Sequence, residues 1–384
     1  MPNLLYYYFD YFNQKDFIRT YYKSNALMSG VFKWILVVII VYSICCTRNQ
    51  RIPKRGKEFH PVMCSGNLLD QRDHHYAKEA DGSYDNSRMI SKLGSCHLMR
   101  YTFNQVVGCF NDVLNENNER YYLDRNPSNN VNFIKRPNKN LHFAFIGDSR
   151  IRQQFFNLLK LIPDYDRKSE PSPLPFVYHG DMEVTSDIMR LRLSFQWRPL
   201  INDSVIDTIR QWATYSQTDR PDLIILGIAM WHMFSTPKED DHQLYREQLK
   251  RLAPFLGQLA NVSKVIWLNQ YPVVEKYGNI GAMNTEVFSE KIDHYNEAVR
   301  SELQNYPEMR ILWDSSNSLV EEYIRGCVVF QQRMQLGVYL VTDPDYSYIN
   351  CNDCRHPGYS ALSQATQLLL NDLCNGQHLN FPLK

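Results

Sequence analysis

Leu141-His-Phe-Ala-Phe-Ile-Gly-Asp-Ser-Arg-Ile-Arg-Gln-Gln154 decides the fold. Leu141–Ile146 is apolar except for His142, the composition of a strand buried on both faces. After Gly147 the period changes, and Ile151–Leu161 carries apolar residues at 151, 155, 158, 159 and 161, the spacing of a helix. Strand, tight turn and helix therefore follow one another without a loop. Gly147 permits the turn, and Asp148 and Ser149 fall at the start of the helix. Taken alone, Asp148 or Ser149 reads most simply as a helix cap. The alternative is chemical: a serine exposed at the strand end, beside a helix N-terminus that favours negative charge.

The same alternation continues outward from this stretch. Strand-like runs recur at Leu191–Trp197, Leu223–Leu226, Val265–Leu268 and Met309–Trp313. Helical runs lie at Val205–Trp212, Tyr245–Leu259, Val287–Leu303 and Tyr359–Leu373. This pattern predicts an α/β fold with a parallel central sheet covered on both faces and a site at the C-terminal ends of the strands. Residues 64–140 are polar, loop-rich and hold Cys64, Cys96 and Cys109, so they read as a disulfide-tied N-terminal part of the domain whose core is 141–384.

Charge divides the chain. Of 42 Lys+Arg and 41 Asp+Glu, residues 1–57 hold nine basic and two acidic residues, leaving 33 basic and 39 acidic in the remainder, a net of −6. An acidic body argues against nucleic acid as a partner, since that affinity rests on neutralised phosphates. Within the basic part, Ala26–Cys46 is 21 residues with one charge, Lys33. At about 1.5 Å per residue it is long enough to cross roughly 30 Å of hydrocarbon. The expected order is a short tail (1–25), one transmembrane signal anchor (26–46), a basic stem (47–63) and the body. Counted literally, the basic flanks place the body in the cytosol. Seven cysteines in the body (64, 96, 109, 327, 351, 354, 374) and the sequons at Asn202 and Asn261 point instead to an oxidising lumen. The luminal reading is the one carried forward.

A second motif gives Ser149 its partner. Asp353-Cys-Arg-His356 precedes the last helix, and an Asp and a His three residues apart can hydrogen-bond and fix the imidazole tautomer. The other ring nitrogen then serves the serine as general base. A lone histidine beside Pro357 and Gly358 reads as a loop residue, but the two motifs together favour catalysis over capping. Asp343-Pro-Asp345 has the form of a glycosyltransferase metal motif, though proline at its centre favours a solvated turn. Cys351 and Cys354 read as a disulfide bracing the Asp353 loop. No cysteine or histidine spacing suits zinc, and no metal is expected.

Gly-Asp-Ser early and Asp-x-x-His late resemble the SGNH/GDSL hydrolases. Phe145–Gln153 looks more closely like the luminal catalytic domain of the animal sialate O-acetyltransferases, the capsule-synthesis-domain proteins. The likeness continues in Cys96–Tyr101 and Cys109, in Phe195–Pro199 before the Asn202 sequon, and in Gly227-Ile-Ala-Met-Trp231. It extends through Trp267–Glu275, Lys291–Ala298 and the Asp353/His356 pair. More distantly, Gly147–Gln154 is similar to the PC-esterase group. The resemblance implies an SGNH-like three-layer sandwich with flavodoxin-like strand order. It also implies a Golgi single-pass type II protein with its catalytic domain in the lumen, using Ser149 as acetyl-carrying nucleophile, His356 as base and Asp353 as its orienting partner. The acceptor would be a sialic-acid-like or other glycan or nucleotide-sugar hydroxyl, and the co-substrate an acetyl-CoA-like donor, with no bound cofactor.

The sequence departs from the pattern at the oxyanion site. No glycine follows Trp197 before Gly227, and Gly227–Trp231 contains no asparagine. Arg152, one helical turn past Ser149, is the candidate second donor, and Gly227, Trp231 and Arg150 are candidate substrate contacts. Arg150, Arg198 and Arg355 are candidates for binding an anionic nucleotide or sugar carboxylate. The sialate enzymes continue into a multi-pass membrane region, whereas nothing after Cys46 here approaches 18 consecutive apolar residues. The acetyl group is therefore expected from a separate multi-pass protein or a soluble donor. The competing functions are an O-acetylesterase using the same triad, a catalytically silent glycan-binding subunit and a metal-dependent glycosyltransferase.

Overall fold

A computed structural model describes residues 62–124, 140–175, 179–214, 220–234, 241–273, 289–306, 309, 312–323, 356–357 and 359–375. The expected anchor at 26–46, Asp353, Arg355, Asp343–Asp345, Cys327, Cys351 and Cys354 lie outside the described residues. Among the described residues no helix is long and apolar enough to cross a membrane.

The central sheet contains β4 (Leu141–Gly147), β5 (Arg167–Glu170), β6 (Met182–Ser186), β7 (Leu191–Trp197), β8 (Leu223–Gly227), β9 (Lys264–Leu268) and β10 (Leu312–Trp313), in the order β10-β9-β8-β4-β7-β6-β5. Five strands, β4, β7, β8, β9 and β10, are parallel and stand in the flavodoxin-like order that the resemblance implies. The purely parallel sheet is corrected at one edge. β5 and β6 add antiparallel strands beyond β7, so the sheet is mixed. β5 is short, polar and half-exposed, and β6 buries only alternate residues, so neither has the continuous apolar run that marks an interior parallel strand.

β4 lies between β7 and β8, and all seven of its residues are buried. Its odd residues Leu141, Phe143 and Phe145 share a core with α2 (Ser149–Leu159) and α7 (Tyr359–Cys374). Its even residues Ala144 and Ile146 face α3 (Asp203–Thr214), α4 (Met230–Phe234), α5 (Asp241–Ala260) and α6 (Ser289–Leu303). This two-faced burial is what period-2 alternation requires of a strand covered on both sides.

Residues 64–124 are more regular than their polarity suggests. β1 (His74–Lys78), β2 (Tyr84–Ser91) and β3 (Gly94–His97) form a three-stranded antiparallel sheet, followed by α1 (Phe103–Asp124). Tyr76, Met89 and Cys96 from the sheet and Val106 and Phe110 from α1 join the same core as β4. Two disulfides fix this part, Cys64–Cys96 within it and Cys109–Cys374 from α1 to the end of α7. Loop-like sequence here reflects strands that bury one face only.

Candidate active site

β4 ends at Gly147, and the chain turns at once into α2. Asp148 caps the helix, its Oδ1 accepting the Arg150 N–H at 2.9 Å. Ser149 therefore sits in the first turn, at the positive end of the helix dipole. Of the two residues, Asp148 takes the capping role, and Ser149 stands beside it at the strand end. A Cβ on Gly147 would collide with the Gly227 carbonyl oxygen and lie 2.6 Å from Ile151 Cγ1. The turn is that tight because α2 folds directly back over the ends of β4 and β8.

Ser149 Oγ lies 2.7 Å from His356 Nε2. The two residues are 207 positions apart. His356 stands three residues before α7, whose Ala361 packs with Tyr271 and Val320. Tyr271, just past β9, also holds the β4–α2 turn. The buried Arg150 guanidinium lies over its ring at 4.0 Å and donates to its carbonyl at 2.8 Å and to Gln270 Oε1 at 3.1 Å. One residue thus braces both halves of the Ser149–His356 pair. These contacts give Arg150 a bracing role between α2 and the end of β9, away from the substrate role the sequence suggests.

Asp148 is wholly buried, and burial pushes its carboxyl above the usual carboxylate range. The Arg150 N–H, the charges of Arg150 and His356 and the Met230 N–H oppose that shift without cancelling it. Gly227 pairs with Gly147 in the β4–β8 ladder. A Cβ there would lie 2.7 Å from Ile151 Cδ1, so the position serves close packing of β8 against α2.

Arg152 is buried and sits over Trp197 at 5.5 Å. Trp231, at the start of α4, is 38% exposed and meets Trp197 edge-to-face at 6.0 Å. His179 stacks on Trp197 at 4.3 Å. His179 and the placement of Trp197 were not legible as site features in the sequence. The available signal was strand parity: Trp197 continues the odd-numbered face of β7, which is the face α2 covers. Arg198 lies beyond that wall, paired with Asp181.

The two sequons are placed differently. Asn202 is exposed and caps α3 through its side-chain oxygen, which accepts the Val205 N–H at 3.1 Å. Asn261 donates to Gly257 O at 3.0 Å, and Ser263 of the same sequon is buried and donates to Pro221 O. Among the described residues no group of His, Cys, Asp or Glu gathers to hold a metal ion.

A serine hydroxyl within hydrogen-bond reach of a histidine at the end of the central strand invites comparison with acyl-transfer proteins. No family model matches the chain. An N-acetylneuraminate (7)9-O-acetyltransferase from Danio rerio is 31% identical over 190 residues, covering 48% of this chain and 22% of that protein. Over that stretch this chain is similar to a sialate O-acetyltransferase. It spans only about a fifth of the length of that relative. Among solved structures it is similar to a putative GDSL-like lipase from Parabacteroides merdae, at 14% identity and a TM-score of 0.33 over 61% of this chain and 95% of that one. The acetylxylan esterase Axe2 of Geobacillus stearothermophilus matches at 14% identity and a TM-score of 0.31, over 61% of this chain and 94% of the esterase. A peptidoglycan O-acetylesterase matches at 11% and 0.33, over 60% and 90%.

Proposed function

We propose that this protein is a carbohydrate O-acetyltransferase working through an acetyl-Ser149 intermediate. The observation that carries the proposal is the 2.7 Å approach of Ser149 Oγ to His356 Nε2 at the C-terminal end of β4. The relationship to a sialate O-acetyltransferase supports acetyl as the group transferred.

In the first half-reaction Ser149 Oγ attacks the acetyl carbonyl while His356 Nε2 takes the hydroxyl proton. The Oγ–C bond forms, and as the bond to the donor breaks the imidazolium returns its proton to the leaving group. The oxyanion between these steps is stabilised by the Ser149 N–H at the start of α2. In the second half-reaction the acceptor hydroxyl gives its proton to His356 and attacks acetyl-Ser149, and Oγ leaves protonated. Asp353, three residues before His356, is assigned to the Nδ1 side of the ring from its sequence spacing.

The donor is taken to be an acetyl thioester, directly or through a separate multi-pass protein, and the acceptor a glycan or nucleotide-sugar hydroxyl. The anchor at 26–46 is assigned to hold the domain in the Golgi lumen, and the two disulfides fit an oxidising compartment.

Mass spectrometry of the full chain after incubation with acetyl-CoA or an activated acetyl ester tests the proposal. The expected result is acetyl on the Ser149 peptide that passes to an added sialoside, and its loss in Ser149→Ala and His356→Ala. Acetyl that passes only to water would make the protein an esterase. Absence of acetyl from Ser149 with both donors refutes the acyl-enzyme.

A further inference from the structure

Trp197 ends one of the two strands that flank β4, and Trp231 follows the other at the start of α4. Trp197 ends β7 directly across from Gly147, and Trp231 lies four residues beyond the Gly227 that pairs with Gly147 from the other side. Their rings meet 6.0 Å apart at 86°. His179 stacks on Trp197 at 4.3 Å and stands edge-on to Trp231 at 6.3 Å. Arg152 completes the group over Trp197 at 5.5 Å, on the same helix as Ser149 and one turn on.

The arrangement is fixed from below. Arg198 N donates to Gly147 O at 2.9 Å, which extends the β4–β7 pairing up to the nucleophile turn. Asp181 accepts the Trp197 N–H at 2.9 Å and both terminal nitrogens of Arg198 at 2.8 and 2.9 Å. This pins the segment that carries His179 against the end of β7. Core packing alone does not require these rings to reach solvent, yet His179 is exposed and Trp231 is 38% exposed.

We propose that His179, Trp197 and Trp231 form an aromatic wall that binds the sugar ring of the acetyl acceptor, with Arg152 favouring an anionic pyranose. The proposal rests on the acetyl-transfer reading for its choice of a sugar as ligand. A pyranose presents a face of C–H bonds that packs on an indole, while its hydroxyls stay free to turn toward an adjacent nucleophile. A guanidinium at the edge of such a wall attracts a carboxylate more strongly than it would in open water, because the neighbouring rings exclude solvent. The wall lies at the C-terminal edge of the sheet across the ends of β7, β4 and β8, beside the reversal of strand order between β4 and β8, where open α/β sheets bind ligands.

Calorimetric titration of the full-length Ser149→Ala chain separates binding from chemistry. The methyl α-glycoside of N-acetylneuraminate is the anionic probe, and methyl galactoside the neutral one. The expected result is measurable binding of the sialoside and weaker binding of the galactoside. Adding Trp231→Ala should weaken sialoside binding on the order of tenfold, while Trp231→Phe should keep it within about threefold. Adding Arg152→Gln should bring the sialoside down to the affinity of the galactoside. Unfolding midpoints of the variants establish that each is folded. Sialoside binding unchanged by Trp231→Ala overturns the wall, and equal affinity for the two sugars overturns the role of Arg152. If neither sugar binds although wild-type Ser149 is acetylated, the wall fails and the acetyl-transfer reading stands. If the sugar binds through Trp231 and Ser149 is never acetylated, the reverse holds.

Discussion

Gly147→Ala places one methyl group where the nucleophile turn is tightest. Its Cβ would overlap the Gly227 carbonyl oxygen and approach Ile151 Cγ1 to 2.6 Å and Ile151 Cβ to 3.0 Å. Comfortable carbon contacts begin near 3.5 Å, so β4 and α2 must separate by about 1 Å. The obstruction on one side is backbone in the β4–β8 ladder, which does not rotate away. Overpacking of this kind costs about 2–3 kcal/mol, a fall of on the order of 5–10 °C in the unfolding midpoint. Ser149 is two residues on, and a displacement of about 1 Å at a reacting atom costs on the order of 100-fold in rate.

Gly227→Ala is the comparison that tests the reasoning. Its Cβ meets Ile151 Cδ1 at 2.7 Å, the far end of a side chain, while the nearest backbone atom, Leu268 O, is 3.3 Å away. Ile151→Val removes Cδ1. It should therefore rescue Gly227→Ala, with a favourable coupling of about 1 kcal/mol or more in a double-mutant cycle, and leave Gly147→Ala unrescued. The assays are thermal unfolding and hydrolysis of an activated acetyl ester. A Gly147→Ala protein with parental stability and rate, or one rescued by Ile151→Val, would show that the strand-to-helix turn is not held as described.

Two further predictions concern stability. Burial pushes the His232 imidazole down to about 4, and its Nε2 accepts the Ile201 N–H at 2.9 Å. Between pH 6.5 and 4 the unfolded chain takes up a proton that the folded chain refuses, so stability is full above about 6.5 and falls as pH drops through that window. Urea unfolding across this range should show His232→Gln, which keeps an acceptor and does not titrate, losing roughly 2–4 kcal/mol less than the parent. The Cys109–Cys374 disulfide closes a separation of 265 residues and Cys64–Cys96 one of 32. Chain entropy makes the longer closure worth about 2 kcal/mol more, so Cys109→Ser/Cys374→Ser should lower the unfolding midpoint further than Cys64→Ser/Cys96→Ser, and equal losses would contradict that account.

Much of the fold was written in local pattern. The change from alternating burial to helical spacing across Gly147 is visible residue by residue, and so are the five strands and five helices that repeat it. The β5–β6 edge was hidden because short edge strands with polar faces carry little apolar signal. The sheet of residues 74–97 was hidden for the same reason, each strand turning only one face to the core. Asp353 is placed beside His356 by spacing alone and lies outside the described residues.

By itself the sequence determined the alternation of strands and helices and singled out Ser149 and His356 as candidates, because both depend on periodicities and short motifs read along the chain. Which arginine packs beyond β9 and which meets Trp197 was decided only in three dimensions. Arg150 and Arg152 are two residues apart on one helix, so their side chains leave it on different faces. One meets Tyr271 beyond β9, and the other meets Trp197 at the end of β7. Those partners lie about 120 and 45 residues further along the chain, and only the folding of the sheet brings them to the same turn.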